Sequence, residues 1–324
     1  METFPPLHPL ISVVMPTYNG EKYIASALNS IHSEGTQGIE VVVVNDGSTD
    51  RTAEIAREFS KKMEVRLISP GRIGNWVAVT NLGLKEATGE WACFLHDDDL
   101  WLSGRISRLR AEIRNAKGAM VLHDAKFVGP EGQALGSWTC PLRQGDVEPD
   151  QLLEHLLVQN FVAICSPLFL RKAVLESGGL DEKLWHTADW DLWLRLGSLG
   201  PVRFLPEALS AVRVHPASQT MTHSLPPGEW EQQLTTVFHR HFARWNASET
   251  RRAKVERAAM ASVVVNSALA AASRGQPLTW KPPLLRLLVL GPSGLHRYLR
   301  DSRIVQRVGS RLKVRHSLAG SPHE

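Results

Sequence analysis

The stretch ACFLHDDDLW, residues 92–101, runs from an apolar tetrad straight into His96, Asp97, Asp98 and Asp99. Three adjacent carboxylates repel one another, and none can be buried without a partner. They form either a solvated turn or a seat for something positive, such as a hard divalent cation that takes carboxylates plus phosphate oxygens. On these residues alone both readings stand. Asp46 leaves the run VVVVNDGSTD (41–50) with Gly47 behind it. It is either an acceptor exposed at a sheet edge or an Asx-type turn capping the next helix. In HTADWDLWLRL (186–196) Thr187 reads as an N-cap, with Leu192, Trp193 and Leu196 on the buried face. Asp189 lies three and four positions before Leu192 and Trp193 and shares their face, whereas Asp191 falls elsewhere and suits the dipole of the helix start. An inward carboxylate is expensive without a role, which singles out Asp189. His215, in VRVHPASQT (212–220), is a loop imidazole bounded by Pro216, and alone it proves little.

The elements that must position these groups are written in the hydrophobic pattern. Runs at 10–16, 39–46, 64–69 and 90–95 read as buried strands. Helical spacing at 21–31, 47–60 and 75–87 falls between them, with Ser48, Thr49 and Asp50 as caps for the second helix. The alternation predicts a sheet with crossover helices, and the acidic triplet lies at the carboxyl end of its fourth strand, where open α/β sheets place ligands. After residue 103 the pattern loosens into a helix at 103–116, a Gly/Pro-punctuated stretch at 129–149, a helix at 150–159 and an apolar segment at 161–170. From about 229 it is helical throughout.

Composition narrows the class. Of 324 residues, 43% are hydrophobic and 22% charged, as in a folded globular chain. The net charge of +4 conceals an asymmetry: residues 1–249 carry 23 Lys and Arg against 30 acids, and residues 250–324 carry 14 against 3. A basic main body suited to nucleic acid is thereby excluded, and no nucleic-acid partner is expected. Three scattered cysteines with no CxxC pair fit a reducing compartment and argue against a zinc site. The first residues show no basic n-region, and the Ala-rich run 258–273 reads as a packed helix more than a span. The cytoplasm is the expected location. Arg alternates with Leu, Ile and Val after residue 282, which would suit peripheral contact with an anionic membrane at its inner face. A solvated tail, or a face packed on the acidic body, explains the same pattern equally well.

Order and spacing add more than any single motif. SVVMPTYNGEKYI (12–24), VVVVNDGSTD, NLGLKEATGEWACFLHDDDLW (81–101), GGLDE (178–182) and ADWDLWLRL (188–196) together resemble family 2 of the inverting glycosyltransferases. The resemblance spans roughly residues 10–220. It implies an α/β fold of GT-A type, a Rossmann-like mixed sheet flanked by helices, over residues 1–225. Residues 226–324 then form a helical, basic C-terminal region. It implies that Pro16, Thr17, Tyr18 and Asn19 line a nucleotide pocket, that Asp46 accepts from the base (commonly uracil), and that the segment ending at Asn81 covers the sugar-nucleotide. The triplet matches the family's D-x-D-D before Leu-Trp. Asp98 then becomes the ligand of Mg2+ or Mn2+, Asp97 a substitute carboxylate, and His96 a departure from the first aspartate. ADWD matches E-D-x-D, making Asp189 the catalytic base, with Ala188 replacing a glutamate. Thr80 stands where an arginine often precedes the asparagine. His215 inherits a place in the metal site, and Arg213 a contact to the diphosphate. The implied activity is metal-dependent inverting transfer of a sugar from a nucleotide-sugar, UDP-linked by family habit, to a saccharide or lipid-linked acceptor. Polysaccharide or lipopolysaccharide assembly is the usual setting. Two rivals remain: a sugar-nucleotide-binding partner subunit that has lost catalysis, and a metal-dependent phosphohydrolase.

Overall fold

The computed structural model describes residues 10–216, 218, 228–273, 277 and 279–319. The expected domain boundary at 225 and part of the loop after His215 lie outside them. Strands β1 (Ile11–Thr17), β2 (Ile39–Asn45), β3 (Val65–Ile68) and β4 (Trp91–Phe94) run parallel in the order β3-β2-β1-β4. β1, β2 and β4 are buried along their whole length because both faces are covered, with Ser12 and Glu40 as polar exceptions, whereas β3 at the edge is half-buried and carries Arg66. Val14, Val42, Val44 and Phe94 point into one hydrophobic cluster, and Val13, Met15, Val41, Val43 and Cys93 into the other. This is the two-residue period of a strand read on a doubly covered sheet. Helices α1 (Ile24–His32), α2 (Thr52–Phe59) and α3 (Trp76–Glu86) supply the crossovers.

The second half of the sheet is mixed. Strand β9 (Leu168–Leu170) lies antiparallel between β4 and β6 (Met120–Val128), and β6 pairs in parallel with the twelve-residue β10 (Val202–Arg213). Short strands β5 (Leu100–Trp101), β7 (Ala134–Trp138) and β8 (Gly145–Val147) finish the edges antiparallel to β10 or β6. The Gly/Pro-rich stretch 129–149 thus holds two strands, and the apolar segment 161–170 only one of three residues. β10 carries register shifts between Leu205 and Ser210, and its far end delivers Arg213 and His215 beside the acidic turn. Helices α4 (Arg105–Ile113), α5 (Pro149–Leu156), α6 (Arg171–Glu176) and α7 (Ala188–Gly197) pack around this half.

Helices α8 (Glu229–Phe242), α9 (Glu249–Ser273), α10 (Lys281–Val289), α11 (Gly291–Ser302) and α12 (Ile304–Ala319) form the basic C-terminal region. Leu234, Val237 and Phe238 of α8, Val255 and Val263 of α9 and Tyr298 of α11 belong to the same hydrophobic cluster as the sheet. By length and composition α9 could cross a membrane, but several of its apolar residues are buried in this core.

Candidate active site

The carboxyl ends of β1, β2 and β4 and the end of β10 converge on one cleft edge. After β1, Asn19 takes a left-handed backbone (φ 51°), one of the few side chains that does so readily. Its amide donates to Ser48 Oγ at 2.9 Å, and its Oδ1 accepts from the Thr49 amide at 2.9 Å. Asp50 accepts from the Thr52 amide at 3.0 Å and from the Glu21 amide at 3.1 Å. The polar run 48–50 therefore does more than cap α2, because it clamps the 17–21 loop against the end of β2. Ser48 and Thr49 serve the loop alone, which corrects the expectation that they cap α2.

Asp46 is buried, and its carboxylate is engaged by the loop after β3: it accepts from the Ile73 amide at 2.5 Å, the Gly74 amide at 3.0 Å and the Arg72 guanidinium. Arg72 also lies 3.6 Å from the centroid of the Tyr18 ring, a cation–π contact. Arg72 thus occupies both the aromatic face and the carboxylate expected to meet a base. Thr80 is buried and donates to the Trp76 carbonyl at 2.7 Å, so no cation reaches the cleft from that position.

The acidic triplet resolves its repulsion internally. Thr17 Oγ1 donates to Asp97, and the Arg213 amide donates to Asp99 Oδ1 at 3.0 Å. Burial and the charge of Asp98 push both flanking carboxyls up, Asp97 to about 7 and Asp99 well above the ordinary range. Asp98 therefore sits between two carboxyls that hold protons more tightly than usual. Its Oδ2 stands 3.0 Å from His215 Nε2. The His215 ring packs on Tyr23 with centroids 4.8 Å apart, and the Arg213 guanidinium lies 4.7 Å from the same ring. Burial pushes His96 below the usual imidazole range, and its Nε2 is a buried atom with no hydrogen-bond partner among the described residues.

Two donors 3.0 Å apart fit a shared cation, because cis ligands each about 2.1 Å from Mg2+ stand roughly 3.0 Å apart. Among the described residues no group of three or more His, Cys, Asp or Glu could hold a metal unaided. A cation held by Asp98 and His215 would therefore need oxygens from a bound ligand, as Mg2+ sites on phosphates do.

Asp189 opens α7. Its Oδ1 accepts from the Trp190 amide at 2.7 Å and its Oδ2 from Asn160 Nδ2 at 2.9 Å. Asn160 Oδ1 accepts from the Val162 amide at 3.1 Å, which fixes the carboxamide with its NH2 toward Asp189. Burial pushes the Asp189 carboxyl up to about 6. Asp191, two residues on, is opposite in kind. It is 1% exposed and accepts from Arg195 Nε at 2.9 Å, Arg240 at 2.9 Å and His241 Nε2 at 2.8 Å. Burial alone would raise it, but the His241 hydrogen bond and the arginine charges bring it down to about 2. The expectation that Asp191 serves only the helix dipole is therefore corrected. The Thr187 hydroxyl makes no capping bond, which corrects the second expectation for this helix.

Two further expected contacts are spent inside the fold. Asn81 donates to the Leu180 carbonyl at 2.9 Å and accepts from the Leu180 amide at 2.9 Å. Arg213 donates to the carbonyls of Asp98 at 2.8 Å, Gly129 at 3.1 Å and Pro130 at 3.0 Å, and so holds the turn that carries Asp98. Pro16 is buried in β1. Gly20, Tyr23, Arg72 and Asn160 were not legible as site residues. Gly20 and Tyr23 lie inside the motif SVVMPTYNGEKYI and Arg72 inside the segment GRIGNWVAVTN expected to cover the sugar-nucleotide, though no role follows from that for any of them, and Asn160 has no signal. A Cβ on Gly20 would lie 2.0 Å from Asp97 Oδ2.

A mixed sheet flanked by helices, with carboxylates at the ends of its parallel strands, matches the GT-A fold of solved glycosyltransferases. TarS residues 1–349 of S. aureus in complex with UDP-GlcNAc superposes with a TM-score of 0.67 at 18% identity, over 97% of this chain and 93% of that one. A mannosyltransferase of Pyrobaculum calidifontis in complex with GDP-Man and Mn2+ gives 0.53 at 17% identity, over 97% and 89%. The chain belongs to Glycosyl transferase family 2, whose sequence model matches residues 12–175. An uncharacterized glycosyltransferase of Rickettsia typhi is 30% identical over 217 residues, 66% of this chain and 67% of its own length. An uncharacterized glycosyltransferase of Rickettsia conorii is 28% identical over 221 residues, but this chain spans only 34% of that relative's length.

Proposed function

We propose that this transferase moves a sugar, with inversion, from a nucleotide-sugar (UDP-linked by preference) to a hydroxyl of a saccharide or lipid-linked acceptor. Cell-surface polysaccharide or lipopolysaccharide assembly on the cytoplasmic side is the setting such chemistry serves. The observation that carries the reading is the contrast between two carboxylates one helical step apart. Asp191 is held ionised by two arginines and a hydrogen bond with His241. Asp189 has only neutral donors and is raised to about 6, where a base can both take and hold a proton near neutral pH.

The residues then divide the work. Tyr18 offers a ring face and Asp46 an acceptor for the base, and the loop carrying Arg72 has to share or yield those contacts as the nucleotide enters. Asp189 removes the proton of the acceptor hydroxyl while that oxygen attacks the anomeric carbon from the side opposite the diphosphate. The bond from that carbon to the phosphate oxygen breaks with its electron pair on the departing nucleoside diphosphate, and the configuration inverts. A Mg2+ or Mn2+ held by Asp98 and His215 would supply counter-charge for that diphosphate. His96, neutral and with no partner for its Nε2 among the described residues, is suited to hydrogen-bond the ribose or a phosphate-bound water.

The partner-subunit reading rests on Ala188, which is buried where the family carries a glutamate, and on His96, which stands in place of the first aspartate. Nucleotide release from UDP-, dTDP- and GDP-sugars with a glycan acceptor, measured with wild type and Asp189→Asn, separates the two readings. The transferase reading expects acceptor-dependent release that falls roughly 10²–10⁴-fold in the variant. Binding without turnover in the wild type would establish the partner subunit. Acceptor-independent release of nucleoside monophosphate and sugar phosphate would establish the hydrolase.

A further inference from the structure

Among the described residues, large exposed apolar side chains are concentrated in one place. Eight of eleven fall between Trp280 and Leu312, and five of them form a patch on and just before α10. Trp280 is 59% exposed, Leu284 56%, Leu285 54%, Leu288 68% and Val289 70%. Helix α10 is apolar nearly all round. Pro283 is buried, and Leu287 and Leu290 pack onto the core from its inner side, so its outer side is a second apolar face that no described residue covers. A helix hydrophobic on both sides belongs inside a core or against a lipid phase.

The charge around the patch selects between occupants. Residues 257–323 contain eleven Lys and Arg and a single acid, Asp301. Asp301 is already taken by His155 at 2.9 Å and Arg300 at 2.7 Å. Lys281 and Arg286, exposed on α10 itself, have no carboxylate partner among the described residues. Two copies meeting through this face would oppose like charges, which costs affinity, whereas an anionic headgroup layer meets both the cations and the apolar face.

We propose that the outer face of α10, led by Trp280, Leu284, Leu285, Leu288 and Val289 and flanked by Lys281 and Arg286, seats the protein on an anionic bilayer surface. Trp at the helix start suits the headgroup level, and the two basic side chains reach phosphates beside it. Two weak signals, apolar insertion and charge, together give stable but reversible attachment. None of these residues belongs to the donor cleft, so the surface stands apart from the transferase reading.

The test is co-sedimentation of the full chain with phosphatidylcholine vesicles, with and without phosphatidylglycerol. Two variants join the wild type: Leu288→Ser/Val289→Ser and Lys281→Gln/Arg286→Gln. Exposed positions tolerate both changes, and nucleotide binding measured on the same preparations reports an intact cleft. The expected result is binding only to vesicles with phosphatidylglycerol, weakened by salt, and roughly tenfold or more weaker in each variant. Wild-type binding that is absent, or undiminished in both variants, overturns the proposal. Self-association in ultracentrifugation that the Ser variant abolishes, without vesicle binding, would assign the face to a second copy instead. Loss of nucleotide binding in the wild type would count against the transferase reading and leave this one intact.

Discussion

Asn160 is the most informative residue to remove. Its NH2 lies 2.9 Å from Asp189 Oδ2, and the Val162 amide holds the carboxamide in that sense. A hydrogen bond to a charged acceptor contributes about 1.5–3 kcal/mol, and about 1.4 kcal/mol corresponds to one pH unit. Water entering the vacated space in Asn160→Ala recovers part of that, so the net effect is about one unit. The bond favours the ionised carboxylate, and losing it makes the proton harder to remove. In wild type kcat/KM should therefore fall below a limb near the Asp189 value of about 6. In Asn160→Ala that limb should move up toward pH ~7, with the rate recovering toward wild type at higher pH. The assay is acceptor-dependent nucleotide release over a pH series, with nucleotide binding as a control. A limb that stays in place, or a loss uniform in pH, would refute the assignment of Asn160 to Asp189 and leave it a loop-packing residue.

Asp98→Ala and His215→Ala should each weaken metal-dependent nucleotide binding roughly tenfold or more, and calorimetry with and without Mn2+ reads this directly. Equal binding with and without Mn2+ in the wild type would remove the shared cation. Gly20→Ala should break the Thr17–Asp97 contact, because its Cβ would lie 2.0 Å from Asp97 Oδ2. Nucleotide affinity should drop in that variant while thermal stability changes little. Asp191→Asn removes the charge from an acceptor shared by the partly exposed Arg195 and Arg240 (the latter keeping Asp181) and the buried His241, and should cost roughly 1–3 kcal/mol, read as a lower unfolding midpoint. Its folded carboxyl is down at about 2 against an ordinary 3.8. The stabilisation is therefore present above that ordinary value and lost as pH falls toward the folded one. The variant should lack this acid-dependent loss.

The first four strands and three helices were legible because each strand is a short, mostly apolar run between helical patterns. β7, β8 and most of β10 were not. Short edge strands rich in Gly, and a long strand interrupted at Pro206, carry no clean two-residue alternation. Asp189 was singled out by helical phase. The same reasoning misjudged Asp191, because Trp190, Leu192, Trp193 and Leu194 are all buried and α7 has no solvent face for a polar side chain to mark. α8 covers that side, and its partners Arg240 and His241 are about fifty residues away in the chain. The meeting of Asp98 with His215, 117 residues apart, came from the family's motif order and from nothing local. Arg72 sits in the segment expected to cover the sugar-nucleotide and Asn160 in a loop with no signal, and only the folded chain brings them to Asp46 and Asp189.

The Asp191 cluster bears on how such an enzyme can be recombined. Arg240 and His241 reach from α8 to Asp191 of the helix that also carries Asp189, so the proposed base is anchored from behind by a segment well past the family match that ends at residue 175. The C-terminal helices are therefore no cassette to be exchanged freely between relatives. A chimera joined near residue 225 inherits a foreign anchor for its own proton acceptor. Grafts that keep α8 with the sheet, and change partners only after Phe242, are the ones expected to retain turnover while gaining a new C-terminal surface.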